Sequence, residues 1–227
     1  MSNSWANSDA DFRAQKDALR AQIAAARARM TPLERSLASG LLQEQLLRAL
    51  QERYAAEPTG GRVLASYLAR PDEPDCGASL LVSEGFRVLV PVLSGAPVVA
   101  GRRVPCWSWL RLGDAMAPGL HGIPEAVGAD RAGVDSVANF GGPETLPASA
   151  VAAAQVVIVP GLAGGRDGSR LGTGGGWYDE ALGFRDPAAE VWLLLFDGEV
   201  FDSVPSEPHD VPVTRIFTPS GRIVIEM

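Results

Sequence analysis

Val156-Val157-Ile158-Val159-Pro160-Gly161 is the stretch on which the fold turns. Four consecutive β-branched residues without polar alternation describe a strand covered on both faces, as in a parallel sheet, and the Pro-Gly pair ends it. Three runs of similar texture flank it: Val63-Leu64-Ala65-Ser66-Tyr67-Leu68, Arg87-Val88-Leu89-Val90-Pro91-Val92 and Val191-Trp192-Leu193-Leu194-Leu195-Phe196. A helical segment, Ala78 to Glu84, separates the first two, and further helical stretches lie between others. The pattern predicts an α/β fold: an open, mostly parallel sheet sandwiched by helices. Thr214-Arg215-Ile216-Phe217, a Pro-Ser-Gly turn and Arg222-Ile223-Val224-Ile225 add a C-terminal hairpin.

Upstream of the first strand the period changes. Asp11 to Met30 reads as an amphipathic helix with Phe12, Leu19, Ile23 and Ala26 on one stripe and the arginines elsewhere. Thr31-Pro32-Leu33-Glu34 has a capping residue, proline at the first helical position and glutamate three residues after the cap, so a second helix starts there and runs to about Tyr54. The turn Glu57-Pro58-Thr59-Gly60-Gly61 follows. The expected organisation is one α/β domain over 1–227, with a disordered tail over 1–10 and a helical pair over 11–54 packed on the sheet. Ser94 to Pro147, rich in Gly and Pro and holding Trp107 and Trp109, fits no periodic pattern; so long a loop region marks either a binding surface or elements that the pattern does not reveal.

Composition removes several classes of function. The chain has 227 residues, 46% hydrophobic and 21% charged, which suits a packed globular core. A formal charge of −7 argues against a general nucleic-acid binder. No apolar run approaches the roughly 20 residues that span a bilayer, and the polar, acidic start is not a signal peptide. Two cysteines, Cys76 and Cys106, make neither a disulfide framework nor a cysteine zinc site. A monomer in the cytoplasm, with neither nucleic-acid nor membrane partners, is the expectation. Of 20 basic residues only Lys16 is a lysine, a compact ammonium among planar guanidinium groups.

The chemistry concentrates in Val159-Pro-Gly-Leu-Ala-Gly-Gly-Arg-Asp-Gly-Ser-Arg170-Leu-Gly-Thr-Gly-Gly-Gly176-Trp-Tyr-Asp179. Gly172, Gly174, Gly175 and Gly176 precede a helix predicted from about Tyr178, so several backbone N–H groups can face one anion. Arg166 and Arg170 bring full positive charge, and Asp179 could hold a metal bridging phosphate oxygens. No Gly-Lys-Ser/Thr closes the loop as in a Walker A motif, and it starts too far past the strand for a dinucleotide fingerprint.

This segment resembles the signature of the 5-formyltetrahydrofolate cyclo-ligase family: a Val-Pro-Gly-Leu strand end, then Arg-Leu-Gly-x-Gly-Gly-Gly-x-Tyr-Asp. It departs at Trp177, where the family has Tyr, and at Gly164-Gly165-Arg166, where an acidic residue is common. Elsewhere, Lys16-Asp-Ala-Leu-Arg20 resembles the family's nucleotide contact on the first helix, and Tyr67 with Glu73 resembles its folate-binding segment. Gly122-Ile123-Pro124-Glu125 resembles its Gly-Ile-x-Glu-Pro with Ala126 in place of proline, and Asp210 resembles a late metal-linked acid.

The resemblance implies a ligase that converts 5-formyltetrahydrofolate and ATP to 5,10-methenyltetrahydrofolate, ADP and phosphate, with Mg2+. The formyl oxygen attacks the γ-phosphorus, N10 then attacks the activated carbon, and phosphate leaves. No protein nucleophile is needed, in keeping with only two histidines, His121 and His209, and no nucleophile elbow. Lys16 and Arg170 would act on the reacting phosphates. Lys16, Arg20, Arg170, Leu171, Gly172, Thr173, Gly174, Gly175, Gly176, Trp177 and Tyr178 would surround ATP. Tyr67, Leu68, Glu73, Trp109, Gly175, Trp177 and Tyr178 would meet the folate, and Asp179 and Asp210 the metal. The alternatives are a family paralogue, or a nucleotide-binding module, that keeps the phosphate loop without this activity.

Overall fold

The computed structural model describes residues 4–57, 61–94, 96–99, 101–127, 145–207 and 210–226. Residues 1–3 of the expected tail, the middle of the 57–61 turn and His209 lie outside the described residues.

Helix α1 (Ser4–Arg29) starts seven residues before the predicted Asp11, taking in most of the segment expected as tail. Its inward stripe corrects a second expectation. Lys16, Arg20 and Arg27 share the protected face with Phe12, Leu19, Ile23 and Ala26, instead of facing solvent like the other cations of the helix. Helix α2 (Pro32–Arg53) begins as the sequence requires. The Glu34 N–H donates to Thr31 Oγ1 at 3.2 Å and the Thr31 N–H to Glu34 Oε2 at 2.7 Å, which settles two otherwise orphaned donors. Arg35 caps the outgoing end of α1, donating from Nη1 to the carbonyls of Met30 and Arg27.

The main sheet is formed by β1 (Val63–Ala65), β2 (Arg87–Val92), β5 (Cys106–Leu110), β8 (Val156–Pro160), β11 (Glu190–Leu194), β13 (Arg215–Thr218) and β14 (Gly221–Val224). Its order is β14-β13-β11-β8-β1-β2-β5. The five central strands are parallel, and β5 and β14 close the two edges antiparallel. The region 94–147, unreadable from sequence, supplies β5 and two small hairpins, β3 (Val98–Val99) with β4 (Arg102–Arg103) and β6 (Ala115–Pro118) with β7 (Pro124–Val127). A separate three-stranded sheet joins β9 (Ala163–Gly165), β10 (Arg170–Leu171) and β12 (Val200–Phe201).

Side-chain alternation divides the core in two. Leu64, Val88, Val156, Ile158 and Trp192 meet Leu42, Leu46 and Leu50 of α2 and Leu81 of α3 (Ala78–Ser83). Val63, Ala65, Val157, Val159 and Leu193 meet Val151 and, from α4 (Trp177–Leu182), Ala181 and Leu182. Each such leucine, fully buried, contributes about 1.5–3 kcal/mol. Helix α1 takes a different place: Leu19 packs with Ala163, Leu171, Phe201 and Val204 over the three-stranded sheet, not on the seven-stranded one. Among the described residues no helix is long and apolar enough to cross a membrane.

Candidate active site

In an open parallel sheet, ligands bind beyond the carboxyl ends of the strands where neighbouring connections leave on opposite faces. Here β1 is flanked by β2 on one side and β8 on the other, so that point lies between β1 and β8. The two segments singled out from sequence leave from it: Ser66 to Glu73 after β1, and Gly161 to Asp179 after β8.

The second segment does not go straight into a phosphate loop. It first folds as β9 and β10 above the sheet, with Arg170 paired to Gly164. A Cβ on Gly164 would lie 2.7 Å from a Leu193 methyl and 3.0 Å from one of Ile216, so only glycine lets this layer sit so close. Arg170 is thereby placed on a rigid strand. Its side chain is 6% exposed, its Nη2 donates to Asp179 Oδ1 at the start of α4, and its Nε has no hydrogen-bond partner. Leu171 faces the small core under α1, so only its backbone is open to a ligand. Thr173, Gly174, Gly175 and Gly176 are exposed; Gly174 has φ +100° and Gly176 φ +68°.

Helix α1 lies across this loop. Arg20 Nε donates to the Gly172 carbonyl at 3.0 Å, and its Nη1 meets Asp17 at 2.8 Å. One turn earlier Lys16 Nζ pairs with Glu207 Oε1 at 3.0 Å and stands 4.6 Å from the centre of the Phe12 ring. Phe12, Arg13, Lys16, Arg20, Gly174 and Glu207 are among the residues lining one cleft of about 660 Å³. Asp210 enters from this side, accepting the Glu207 N–H at 2.7 Å; no described contact joins it to Asp179.

On the other flank Glu73 is held locally. Its Oε2 accepts the Arg70 N–H at 3.0 Å, its Oε1 pairs with Arg70 Nη2 at 3.2 Å, and its side chain is 11% exposed. Tyr67 and Leu68 are core residues. The Tyr67 hydroxyl donates to the Pro74 carbonyl, and burial holds it well above the ordinary tyrosine pKa. Tyr178 packs against both core clusters, which requires a place at the end of the sheet. Its hydroxyl has no partner among the described residues; burial, then Cys76 and Glu73, push its pKa well up, against the pull of Arg170. Tyr178 therefore stands between the Glu73 loop and the Arg170 strand.

Trp109 is not brought to this end. It pairs with Leu89 in the first half of β2, under the guanidinium of Arg87 at 4.2 Å. Trp107, opposite Pro91 near the exit of β2, takes that place and meets Trp177 edge-on at 5.1 Å. Trp177 in turn meets Tyr178 at 4.8 Å, and the ring nitrogens of Trp107 and Trp177 have no acceptor. Sequence reading also passed over Arg27 and Glu199, whose carboxylate forms a bidentate pair with Arg27 at 2.7 and 2.8 Å. The signal was present for Arg27: it follows Lys16, Arg20 and Ile23 on one helical stripe.

The arrangement offers a cationic cleft and a glycine loop on one side and an aromatic, carboxylate-bearing wall on the other, with buried donors aimed at neither solvent nor protein. No cluster of three metal-ligating side chains occurs among the described residues. An arrangement of this kind is suited to aligning ligands and stabilising charge on them.

The profile of the 5-formyltetrahydrofolate cyclo-ligase family matches residues 12–219. A 5-formyltetrahydrofolate cyclo-ligase of Mycolicibacterium smegmatis is 36% identical over 169 residues, covering 72% of this chain and 77% of that protein. A mitochondrial 5-formyltetrahydrofolate cyclo-ligase of Arabidopsis thaliana is 40% identical over 78 residues, 30% of this chain and 28% of the relative. The fold is shared with the 5,10-methenyltetrahydrofolate synthetase of Aquifex aeolicus, at TM-score 0.64 and 20% identity over 93% of each chain. It is shared also with that of Mycoplasma pneumoniae, at TM-score 0.55 and 17% identity over 90% of this chain and 98% of that one. From Lys16 to Asp210 every residue of the site falls inside the matched span, and the chain belongs to the 5-formyltetrahydrofolate cyclo-ligase family.

Proposed function

We propose that the chain is an ATP-dependent ligase that closes 5-formyltetrahydrofolate to 5,10-methenyltetrahydrofolate, releasing ADP and phosphate, as a cytoplasmic monomer of one domain. The observation that carries this reading is the cleft in which Lys16 and Arg20 of α1 meet the Gly172–Gly176 loop. The nucleotide phosphates lie there and take Lys16 from Glu207. That exchange is inexpensive, since a pair as exposed as Lys16–Glu207 is worth at most about 1 kcal/mol. Arg170, fixed on β10, faces the transferring phosphoryl group, where its charge acts on the transition state more than on bound ATP.

The folate lies on the opposite flank. Glu73 accepts hydrogen bonds from the pterin edge, Trp177 and Tyr178 pack on flat rings, and the open donors of Trp177 and Tyr178 meet acceptors of the substrate. The two flanks hold the formyl oxygen in line with the γ-phosphorus, and then N10 near the activated carbon.

A magnesium ion bound with ATP would be held from this chain by carboxylates. One or two carboxylates suffice where phosphate oxygens and water complete the shell, and Asp179, beside the glycine loop, fits that requirement. Asp210 stands on the α1 side of the cleft as a second candidate. The ion supplies charge neutralisation on the phosphates; Arg170 keeps Asp179 oriented toward them. A match along most of the chain weighs against a bare nucleotide-binding module.

Purified protein mixed with ATP, magnesium and 5-formyltetrahydrofolate should build up the near-ultraviolet absorbance of the methenyl product and release one phosphate per turnover. ATP binding with no such absorbance would leave only the nucleotide half of the reading.

A further inference from the structure

The least solvated charge described in the molecule is not one of the candidate substrate contacts. Arg27, near the end of α1, is 2% exposed. Its guanidinium donates to Glu199 twice, to the Gly161 carbonyl at 2.7 Å and to the Asp72 carbonyl at 3.4 Å. Glu199 Oε2 also accepts the Phe196 N–H at 2.9 Å. Gly161 follows β8, Asp72 lies beyond β1 and next to Glu73, and Phe196 follows β11. One side chain thus joins α1 to the exits of three neighbouring strands, at the end of the sheet where both substrates are placed.

We infer that Arg27 and Glu199 are positioning residues for the nucleotide half of the site: they set the height and rotation of α1, and so the places of Lys16 and Arg20 against the glycine loop. Neither touches substrate. Three features carry this. Arg27 lies on the same helical stripe as the two cations, two turns beyond Arg20, so a rotation of the helix at Arg27 moves all three. The contact is bidentate and planar, and constrains orientation as a lysine cannot. The other described polar contacts of α1 near the cleft, Lys16 with Glu207 and Arg20 with Gly172, lie where the phosphates are placed, and the packing of Leu19 on Ala163, Leu171, Phe201 and Val204 is non-directional, so Arg27 and Glu199 supply the directional reference position. The proposal rests on the nucleotide reading of the cleft.

Removing one partner leaves a buried charge, and such a variant could simply fail to fold. The test therefore uses the apolar double substitution Arg27→Met with Glu199→Leu, which keeps the volume filled, and Glu199→Gln, which keeps the shape. Turnover is measured over ATP and 5-formyltetrahydrofolate concentrations, alongside backbone hydrogen exchange. Loss of a purely stabilising pair would reduce the folded fraction, lowering apparent kcat with both KM values unchanged. The positioning role predicts instead that the double variant, still folded, shows a KM for ATP at least tenfold higher. Its KM for the folate and its kcat should move less than threefold, and Glu199→Gln should move the same way by a smaller factor. The amides of α1 should exchange at least tenfold faster while β8 and β11 remain protected. Unchanged KM for ATP, or unchanged exchange in α1, in a folded variant overturns the inference. If the wild-type protein has no ligase activity the proposed function fails, and the exchange result still decides whether the pair sets the helix.

Discussion

Replacing Gly174 with alanine tests the glycine loop at the residue where its geometry is most restrictive. At φ +100° the backbone is in a region that side-chain-bearing residues rarely occupy, and a Cβ there would stand 3.3 Å from Cζ and Nη2 of Arg20. Arg20 is flexible and can give by a few tenths of an ångström, so most of the cost is conformational, about 1–3 kcal/mol. The loop is exposed and has a cheaper escape: it abandons the positive φ and settles elsewhere. The penalty then falls on ligand binding, which needs the original shape. At about 1.4 kcal/mol per factor of ten, KM for ATP should rise roughly 5- to 150-fold. Melting should move by less than about 4 °C, the shift that about 1 kcal/mol gives at most in a chain of this size. The control is Gly113→Ala, just after β5 at the opposite end of the sheet, where φ is +90° and nothing lies within 4 Å of the new methyl group. It should change KM for ATP less than twofold. Steady-state kinetics and thermal melts of both variants decide the matter. Equal damage at the two positions, or a silent Gly174→Ala, would refute the reasoning that the +100° turn holds the phosphate-binding shape.

Arg170→Ala should lower kcat/KM by more than tenfold, since a charge-assisted phosphate contact is worth about 1.5–3 kcal/mol; wild-type turnover would remove Arg170 from the reacting phosphate. Glu73→Gln places a donor against a donor edge and should weaken folate binding by one or more orders of magnitude with ATP affinity near normal, as read by titration calorimetry. If Glu73 serves only Arg70, stability shifts and both affinities stay. Cys76 is buried and its thiol pKa is pushed up to about 12 by desolvation first and Asp75 second. Iodoacetamide at pH 8 should leave it unlabelled in the native protein and label it after denaturation, as mass spectrometry would show; rapid native labelling would contradict that burial.

The parts legible in the sequence are those whose physics is local. Continuous runs such as Val156–Val159 announce doubly covered strands, and the capping signals at Thr31 and Glu34 announce where α2 starts. The small hairpins between 96 and 127 were illegible because strands of two to four residues carry no period to detect. Trp107 and Trp109 point to the same face of β5, so nothing in the local pattern separates them. Only the antiparallel register with β2, a long-range fact, puts Trp107 at the substrate end and Trp109 toward the other. Arg27 was legible only in part: its stripe with Lys16, Arg20 and Ile23 is local, but a charged residue on an amphipathic helix reads as solvent-facing until its partner, 172 residues further on, is known.

Gly164 carries a consequence for how interior and surface are related in this protein. A Cβ on it would run into methyl groups of Leu193, Ile216 and Leu195, while its neighbour across the strand pair is Arg170. The side chain proposed to face the transferring phosphoryl group is therefore levelled by three aliphatic side chains in the hydrophobic interior. Enlarging Leu193 would lift β9 and β10 together and tilt Arg170 away from its mark, so an apparently conservative change deep in the sheet would register first in catalysis. The interior works here as an instrument bed, and its shape is part of the enzyme's chemistry.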